Sequence, residues 1–134
     1  MSVFADTSAL FALLDAASSD HQTATEEWKR LRQDGGRLRT HNYVVVETAS
    51  LLQRRLGMEA AARFHRQLLP VLSVRFVDAS LHTLATTSLL AADRRKVSLV
   101  DWTSFEMMRD ENLTEAFAFD RHFAEQGFAL RPAS

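Results

Sequence analysis

The chain has 134 residues, the size of one compact domain with a hydrophobic core of its own. It contains no cysteine, so disulfides, thiolate metal sites and cysteine nucleophiles are excluded together. A net charge of −1 excludes a strongly basic polyanion-binding protein. We predict a single domain over residues 1–134, because the chain has no linker-like segment and no repeat.

The N-terminal segment is unlike a signal peptide, because residues 1–6 lack a basic stretch and reach a charge at Asp6. No apolar run approaches the roughly 20 residues that a membrane span requires. We therefore expect a cytoplasmic protein without membrane contact.

Short apolar segments alternate with helical patterns in the first half of the chain. The predicted elements are a strand over 2–5, a helix over 9–14 preceded by capping side chains at 6–8, a helix from 18 to about 34 and a strand over 37–40. Asn42 is predicted to cap a helix that ends near Leu56, where Gly57 stops it. Its first half is apolar nearly all round, which predicts a central, buried helix.

The second half continues the same alternation. The predicted elements are a helix over 59–69 closed by Pro70, a strand over 71–77, a helix over 78–93, a helix over 102–109 capped by Asp101, a strand over 114–119, a short helix over 120–125 and a strand over 128–130. This order predicts an α/β fold in which a mainly parallel sheet is covered by helices on both faces.

Four carboxylates adjoin the apolar segments, namely Asp6, Glu47, Asp101 and Asp120. Acidic residues are rarely buried unless they are paired or bound to a metal. Parallel sheets bind ligands beyond the carboxyl ends of their strands, and Asp6 and Asp120 each stand one residue past a predicted strand. These two side chains point into one crevice if the two strands are neighbours.

Grouped carboxylates repel one another, so without a counter-charge at least one takes up a proton. Mg²⁺ or Mn²⁺ would answer this directly, because both favour hard oxygen ligands. The chemistry that follows is hydrolysis of a phosphodiester by a metal-activated water. The hydroxyls beside the acids could orient ligands or metal-bound water; they belong to Thr7, Ser8, Thr103 and Ser104.

Each acid also has a purely structural interpretation. Asp6 and Asp101 are good helix caps, and Asp120 is an ordinary turn residue. Glu47 is the hardest to explain structurally, since an unpaired charge in a buried helix is costly, although a salt bridge to a distant arginine stays open. His122 is interpreted first as a surface residue and second as a group near the scissile phosphate.

Four segments resemble the PIN-domain ribonucleases, most closely the VapC-type toxins of bacterial type II toxin–antitoxin pairs. They are residues 3–10, 42–47, 98–105 and 118–123, which occur in the family's order. The resemblance implies a PIN-like three-layer α/β/α sandwich with a mainly parallel sheet of four to five strands. It also implies that the catalytic and metal-binding quartet is Asp6, Glu47, Asp101 and Asp120, with Ser8 and Ser104 as supporting hydroxyls.

The same resemblance implies an Mg²⁺- or Mn²⁺-dependent endoribonuclease that cleaves tRNA, rRNA or mRNA. It further implies a homodimer and neutralisation by a small antitoxin protein. Arg121, in the last segment, is a candidate contact to the substrate. Trp102 stands where the family more often has a small residue, and could reshape the groove, stack on a base or fill the core.

The alternative function is a non-catalytic PIN-like module that binds RNA or a partner protein. The presence of all four acids disfavours it. A phosphotransfer receiver domain also has an acidic pocket in an α/β fold. It resembles this chain less, because the adjacent acidic pair after the first strand and the strand-end lysine are missing.

Overall fold

The computed structural model describes residues 1–133. Its strands are β1 (Ser2–Ala5), β2 (Arg37–His41), β3 (Leu72–Arg75), β4 (Glu115–Phe117) and β5 (Ala129–Arg131). Its helices are α1 (Thr7–Leu14), α2 (His21–Gln33), α3 (Asn42–Leu56), α4 (Met58–Arg63), α5 (Ala79–Ala92), α6 (Leu99–Asp110) and α7 (His122–Glu125). Between α4 and β3 the chain forms a π-helical turn over Phe64–Leu68 and a 3-10 turn over Leu69–Val71. Among residues 1–133, no helix is both long and apolar enough to cross a bilayer.

The strands form one sheet in the order β3-β2-β1-β4-β5, and every neighbouring pair of the described strands is parallel. Helices cover both faces of this sheet, which confirms the predicted α/β/α sandwich. Over residues 1–133 the sheet has five strands, within the predicted range of four to five. The central strand β1 is buried on both faces, with Val3, Phe4 and Ala5 at most 3% exposed. A short run of apolar residues is therefore the expected sequence for it.

The strand order reverses beside β1. The chain first adds β2 and β3 on one side of β1 and then returns to place β4 and β5 on the other. In open parallel sheets such a reversal leaves a crevice at the carboxyl ends of the two strands, where ligands bind. The condition for Asp6 and Asp120 to share a crevice, namely that the strands before them are neighbours, is met by the pairing of β1 with β4.

The strand β4 is shorter than predicted, because it ends at Phe117 rather than Phe119. Asp120 accordingly lies three residues beyond the strand and not one. At the same edge the backbone N–H of Asp6 donates to the carbonyl of Phe117 at 3.0 Å. The loop after β4 therefore leaves the sheet directly beside the start of α1.

The N-cap of α3 is His41, so the prediction of Asn42 was wrong. The Nδ1 atom of His41 accepts from the backbone N–H of Val44 at 3.3 Å. The side chain of Asn42 instead accepts from the backbone N–H of Val77 at 2.7 Å. His41 can cap the helix because it is fully buried at the end of β2, with Nδ1 facing the first turn.

Helix α6 begins at Leu99, three residues earlier than predicted, and its N-cap is Ser98 rather than Asp101. The backbone N–H of Asp101 donates to the Ser98 hydroxyl at 3.1 Å, and the backbone N–H of Ser98 donates to Asp101 Oδ2 at 2.9 Å. This reciprocal capping box satisfies two orphan donors at once, which a cap at Asp101 would not do. Asp101 therefore lies within the first turn of the helix.

Candidate active site

Asp6 stands at the carboxyl end of β1 and caps α1. Its Oδ2 atom accepts from the Ser8 backbone N–H at 3.1 Å and from the Ser8 hydroxyl at 2.6 Å. The same hydroxyl accepts from the backbone N–H of Phe119 at 3.0 Å. Ser8 thus holds the Asp6 carboxylate and also ties β1 to the loop that carries Asp120.

Asp6 is 4% exposed, and the pKa of its carboxyl group is strongly shifted. The pKa of Asp6 is raised from 3.8 to about 7, mainly by burial and to a smaller extent by the charges of Asp101 and Asp120, while the hydrogen bonds from Ser8 oppose the rise. Such a group is half protonated near neutral pH. A cation beside it would favour the ionised form.

Glu47 is exposed as a whole residue, so the prediction of a buried position was wrong. The buried residues of α3 are Val44, Thr48 and Leu52, spaced four apart, and Glu47 stands outside that stripe. Its carboxyl group nevertheless faces the other acids. The pKa of Glu47 is raised overall. Partial burial and the charges of Asp101 and Asp120 raise it, while a hydrogen bond from the Thr7 hydroxyl lowers it.

Asp101, Asp120 and His122 form the tightest group in the site. One ligand atom from each lies within 4.8 Å of the others. His122 Nδ1 lies 3.0 Å from Asp120 Oδ1, and the His122 backbone N–H donates to the same oxygen at 2.9 Å. The pKa of Asp101 is raised overall. Burial and the Asp120 charge raise it, while hydrogen bonds from Ser98 lower it. These three side chains can reach one cation together.

His122 was interpreted first as a surface residue, but its side chain is only 23% exposed and faces Asp120. The available signal was its spacing: two residues after Asp120, in a segment expected to turn. Because the turn folds the chain back on itself, the carboxylate and the imidazole meet.

The donor set fits a divalent cation. Within residues 1–133, Asp6, Glu47 and Asp101 form no ion pair, and the partner of Asp120 is His122 rather than lysine or arginine. This removes the alternative of a salt bridge from Glu47 to an arginine in that part of the chain. Carboxylate oxygens with one imidazole suit Mn²⁺, and the carboxylates alone suit Mg²⁺.

The predicted supporting hydroxyls divide into two groups. Thr7 and Ser8 lie beside the acids, with Thr7 also bonded to Thr48 at 3.0 Å. The hydroxyls of Thr103 and Ser104 are buried and donate to helix carbonyls four residues earlier, at 2.8 and 3.0 Å. In the described structure neither of them bonds to any of the four acids, because their own helix occupies them.

Ser104 also lies 2.9 Å from Nε2 of His41, which links α6 to the start of α3. Trp102 is 7% exposed and packs edge-on against Phe105 with ring centroids 5.3 Å apart. Of its three interpretations, the structure therefore supports the core. Arg121 is exposed beside Asp120, and none of the described residues forms an ion pair with it.

The parallel α/β/α sandwich and its sequence are matched by a known family. The PIN domain family model matches residues 3–129, and the chain belongs to the PIN-domain family. Within it the chain is similar to the "23S rRNA-specific endonuclease VapC20" of Mycobacterium tuberculosis, in strains CDC 1551 / Oshkosh and H37Rv. The identity is 39% over 132 residues, which are 97% of this chain and 98% of the relative.

Two solved structures match the fold of this chain over nearly its full length. The crystal structure of Mycobacterium tuberculosis VapC20, described as a sarcin-ricin loop cleaving toxin, matches with a TM-score of 0.82 and 39% identity, over 95% of this chain and 96% of that one. FitAcB from Neisseria gonorrhoeae matches with a TM-score of 0.69 over 97% and 96% of the two chains. Its identity of 13% supports the fold alone.

Proposed function

We propose that this PIN-domain protein is a divalent-metal-dependent endoribonuclease and the toxin of a toxin–antitoxin pair. The observation that carries the proposal is the grouping of Asp101, Asp120 and His122 within 4.8 Å, with Asp6 and Glu47 coupled to the two aspartates by charge. Neighbouring acids repel one another when ionised, and a cation between them would offset that repulsion. The 39% identity to an endonuclease over nearly the full length supports the same function.

The three aspartates are held in a way that leaves one oxygen of each available. Oδ2 of Asp6 accepts from Ser8, Oδ2 of Asp101 accepts from Ser98, and Oδ1 of Asp120 accepts from the backbone N–H of His122. Within residues 1–133 the second oxygen of each accepts no hydrogen bond. Fixing one oxygen orients the other, which preorganises a ligand set.

The residues proposed to hold Mg²⁺ or Mn²⁺ are Asp6, Glu47, Asp101 and Asp120. When bound, the cation supplies positive charge for the phosphate and lowers the pKa of a water for attack. Ser8 keeps Asp6 aimed at the site through its 2.6 Å hydrogen bond. His122 borders the site at Asp120, and we propose that the exposed Arg121 contacts a phosphate of the RNA.

The substrate that we propose to test first is 23S rRNA, and within it the sarcin-ricin loop, because the relatives are named for these targets. Cleavage of tRNA or mRNA would retain the function and change the target. We propose the cytoplasm as the place of action, since such RNA is found there. The proposed protein partner is a small antitoxin.

We also propose a homodimer. Apolar side chains are exposed on α3, after β3 and on α5, at Val46, Phe76 and Leu84, with 62%, 76% and 48% of their areas accessible. Tyr43 of α3 and His82 of α5 are hydrogen-bonded at 2.7 Å, so α3 and α5 meet beside these residues. A contiguous patch of exposed apolar side chains often marks a protein interface, and we propose that these three belong to one patch. Light scattering should show a dimer for the wild type and a monomer for Phe76→Ser. A wild-type monomer at micromolar concentration would contradict the proposed homodimer.

The decisive experiment is cleavage of purified RNA, followed by mapping of the new 5′ ends. We expect a dominant cut with Mg²⁺ or Mn²⁺, no cut with EDTA and recovery when the cation is restored. If the metal-loaded protein binds RNA tightly but cuts none of the three RNA classes, the non-catalytic binding module is the better description.

A further inference from the structure

A groove of about 570 Å³ begins at the residues on both sides of Asp120. Phe119 and Arg121 line it from the loop after β4, and Asp20 and Thr23 line it from the start of α2. Its apolar wall includes Ala118 and the C-terminal residues Leu130, Pro132 and Ala133. The volume falls within the roughly 300–1,000 Å³ of typical small-ligand sites. The groove therefore lies between the loop that carries Asp120, the start of α2 and the end of β5.

The polar groups of this groove are unoccupied within the described chain. Asp20 is the N-cap residue of α2 by position, yet its side chain makes no capping hydrogen bond. In residues 1–133 neither that carboxylate nor the Thr23 hydroxyl has a hydrogen-bond partner, and the Arg121 guanidinium has none either. An aspartate at an N-cap ordinarily bonds the first turn, so a half-buried one that does not is available to a ligand.

These groups match the parts of one nucleotide. An arginine beside the acid cluster suits the phosphate, and a half-buried phenylalanine ring suits stacking against a base. A carboxylate accepts hydrogen bonds and donates none, so it selects a base edge that presents two adjacent N–H donors. Among the four RNA bases, guanine has that edge, at N1 and the 2-amino group.

We propose that this groove is a base-specific subsite that binds a guanosine next to the cleaved bond, with Asp20 accepting from the guanine Watson–Crick edge. This inference rests on the proposed function. Thr23 contributes a second polar contact to the base, and Phe119 stacks on the base. Arg121 binds the phosphate of the same nucleotide. RNA bases are read in this way when they are unstacked from single-stranded or looped segments.

The test uses short RNAs that carry the mapped cut and all four bases at each of the two flanking positions. We expect wild-type kcat/KM to be highest with guanine at one position and to fall by about 5- to 100-fold with adenine there, as for loss of a bidentate base contact. Inosine, which lacks the 2-amino group, should give an intermediate value. In Asp20→Asn the guanine-to-adenine ratio should collapse toward one, because an amide presents a donor to one of the two N–H groups.

The matched control is Asp34→Asn, which makes the same chemical change at the other, exposed end of α2 and should keep the wild-type ratio. Thr23→Val is a second groove variant and should narrow the ratio without removing any capping contact of α2. Thermal melting establishes that each variant is folded before its ratio is compared.

The two proposals fail differently. If the wild type cleaves no RNA, the proposed function fails and the subsite with it. If the wild type cleaves but shows no guanine preference, or Asp20→Asn keeps the wild-type ratio, the subsite alone is overturned. A third result, in which Asp20→Asn weakens binding of a partner protein but keeps the ratio, also overturns the subsite and assigns the groove to a protein segment.

Discussion

The two ends of α6 treat their carboxylates in opposite ways. At the first turn Asp101 faces other acids, forms no ion pair in the described chain, and has its pKa raised by burial. At the last turn Asp110 and Glu111 meet arginines. Glu111 accepts from Arg39 at 2.8 and 2.9 Å and from Arg75 at 3.0 Å. One helix thus carries an uncompensated acid at one end and a compensated pair of acids nine and ten residues further on.

Position along the helix does not explain the contrast. An acid at a helix C-terminus is opposed by the helix dipole, so pairing with arginine there restores a favourable charge balance. An acid at the N-terminus is favoured by the dipole, yet burial, and after it the charge of Asp120, raises the pKa of Asp101. The protein has arginine side chains within reach of acids at one end of α6 and places none on Asp101. The absence of compensation at that end is what we attribute to cation binding.

The largest expected effect comes from Asp101→Asn. It keeps the capping contact to Ser98 through the amide oxygen but removes the charge that a cation requires. We expect cleavage to fall by on the order of 1,000-fold, as when a preorganised charge contact is removed from a transition state. The measurement is single-turnover cleavage of the mapped RNA at saturating Mn²⁺.

The matched control for that prediction is Asp110→Asn, which makes the same change at the compensated end of α6. Its side chain is 60% exposed, and we expect cleavage to stay within about twofold of the wild type. Equal loss of activity in both variants would mean that the two ends of the helix do not differ in function.

The next effect is on stability. Burial raises the pKa of Asp6 from 3.8 to about 7, so the folded state retains a proton that the unfolded state releases. The stability linked to this group is therefore present below pH 3.8 and is lost as the pH rises through 7. Asp6→Asn avoids this loss and should stabilise the cation-free protein at pH 8 by roughly 2–4 kcal/mol.

Urea unfolding in EDTA at pH 5 and pH 8 measures the Asp6 effect. The wild type should lose stability between the two values, and Asp6→Asn should lose less. Adding Mn²⁺ should stabilise the wild type more than the variant, because the cation binds the folded state. Parallel pH profiles for the two proteins would show that the loss of stability between pH 5 and pH 8 does not come from the raised pKa of Asp6.

Much of the fold was predictable because local signals and burial agree. The run Val3-Phe4-Ala5 is apolar on both faces and became the central strand. The burial of α3 was not predictable in the same way. Val46 is apolar but 62% exposed, and a sequence does not distinguish an apolar side chain that fills the core from one on an outer surface. The burial assigned to Glu47 failed for that reason. The single domain over residues 1–134 stays a prediction.

The site was predictable in outline, since strand ends in parallel sheets point to one crevice. Its finer contacts were not. The capping box of Ser98 and Asp101 could have been found from the Ser-x-x-Asp spacing. The approach of His122 to Asp120, and the free carboxylate of Asp20, depend on how the loops after β4 and before α2 turn. Such turns follow from tertiary packing rather than from local pattern. The catalytic assignment of Asp6, Glu47, Asp101 and Asp120 stays a prediction until the variants are measured.

The smallest expected effect tests the compensated end. Burial works to raise the pKa of Glu111, but the hydrogen bonds from Arg39 and Arg75 outweigh it and leave the pKa lowered. Glu111 therefore contributes stability above its ordinary value of 4.5 and loses it as the pH falls through the lowered one. Glu111→Gln should lower the free energy of unfolding at pH 7 by about 1–2 kcal/mol and leave cleavage unchanged.

Urea unfolding at pH 4, 7 and 8 separates this effect from that of Asp6, because the two acids shift stability in opposite directions with pH. The difference between the wild type and Glu111→Gln should shrink below pH 4.5, where the carboxylate of the unfolded chain takes up a proton while the folded one stays ionised. The difference between the wild type and Asp6→Asn should instead grow toward pH 8. If Glu111→Gln reduced cleavage as much as it reduced stability, the arginine network would be coupled to the acidic site through α6. The acids at the two ends of α6 would then both contribute to cleavage and would differ only in how much they contribute.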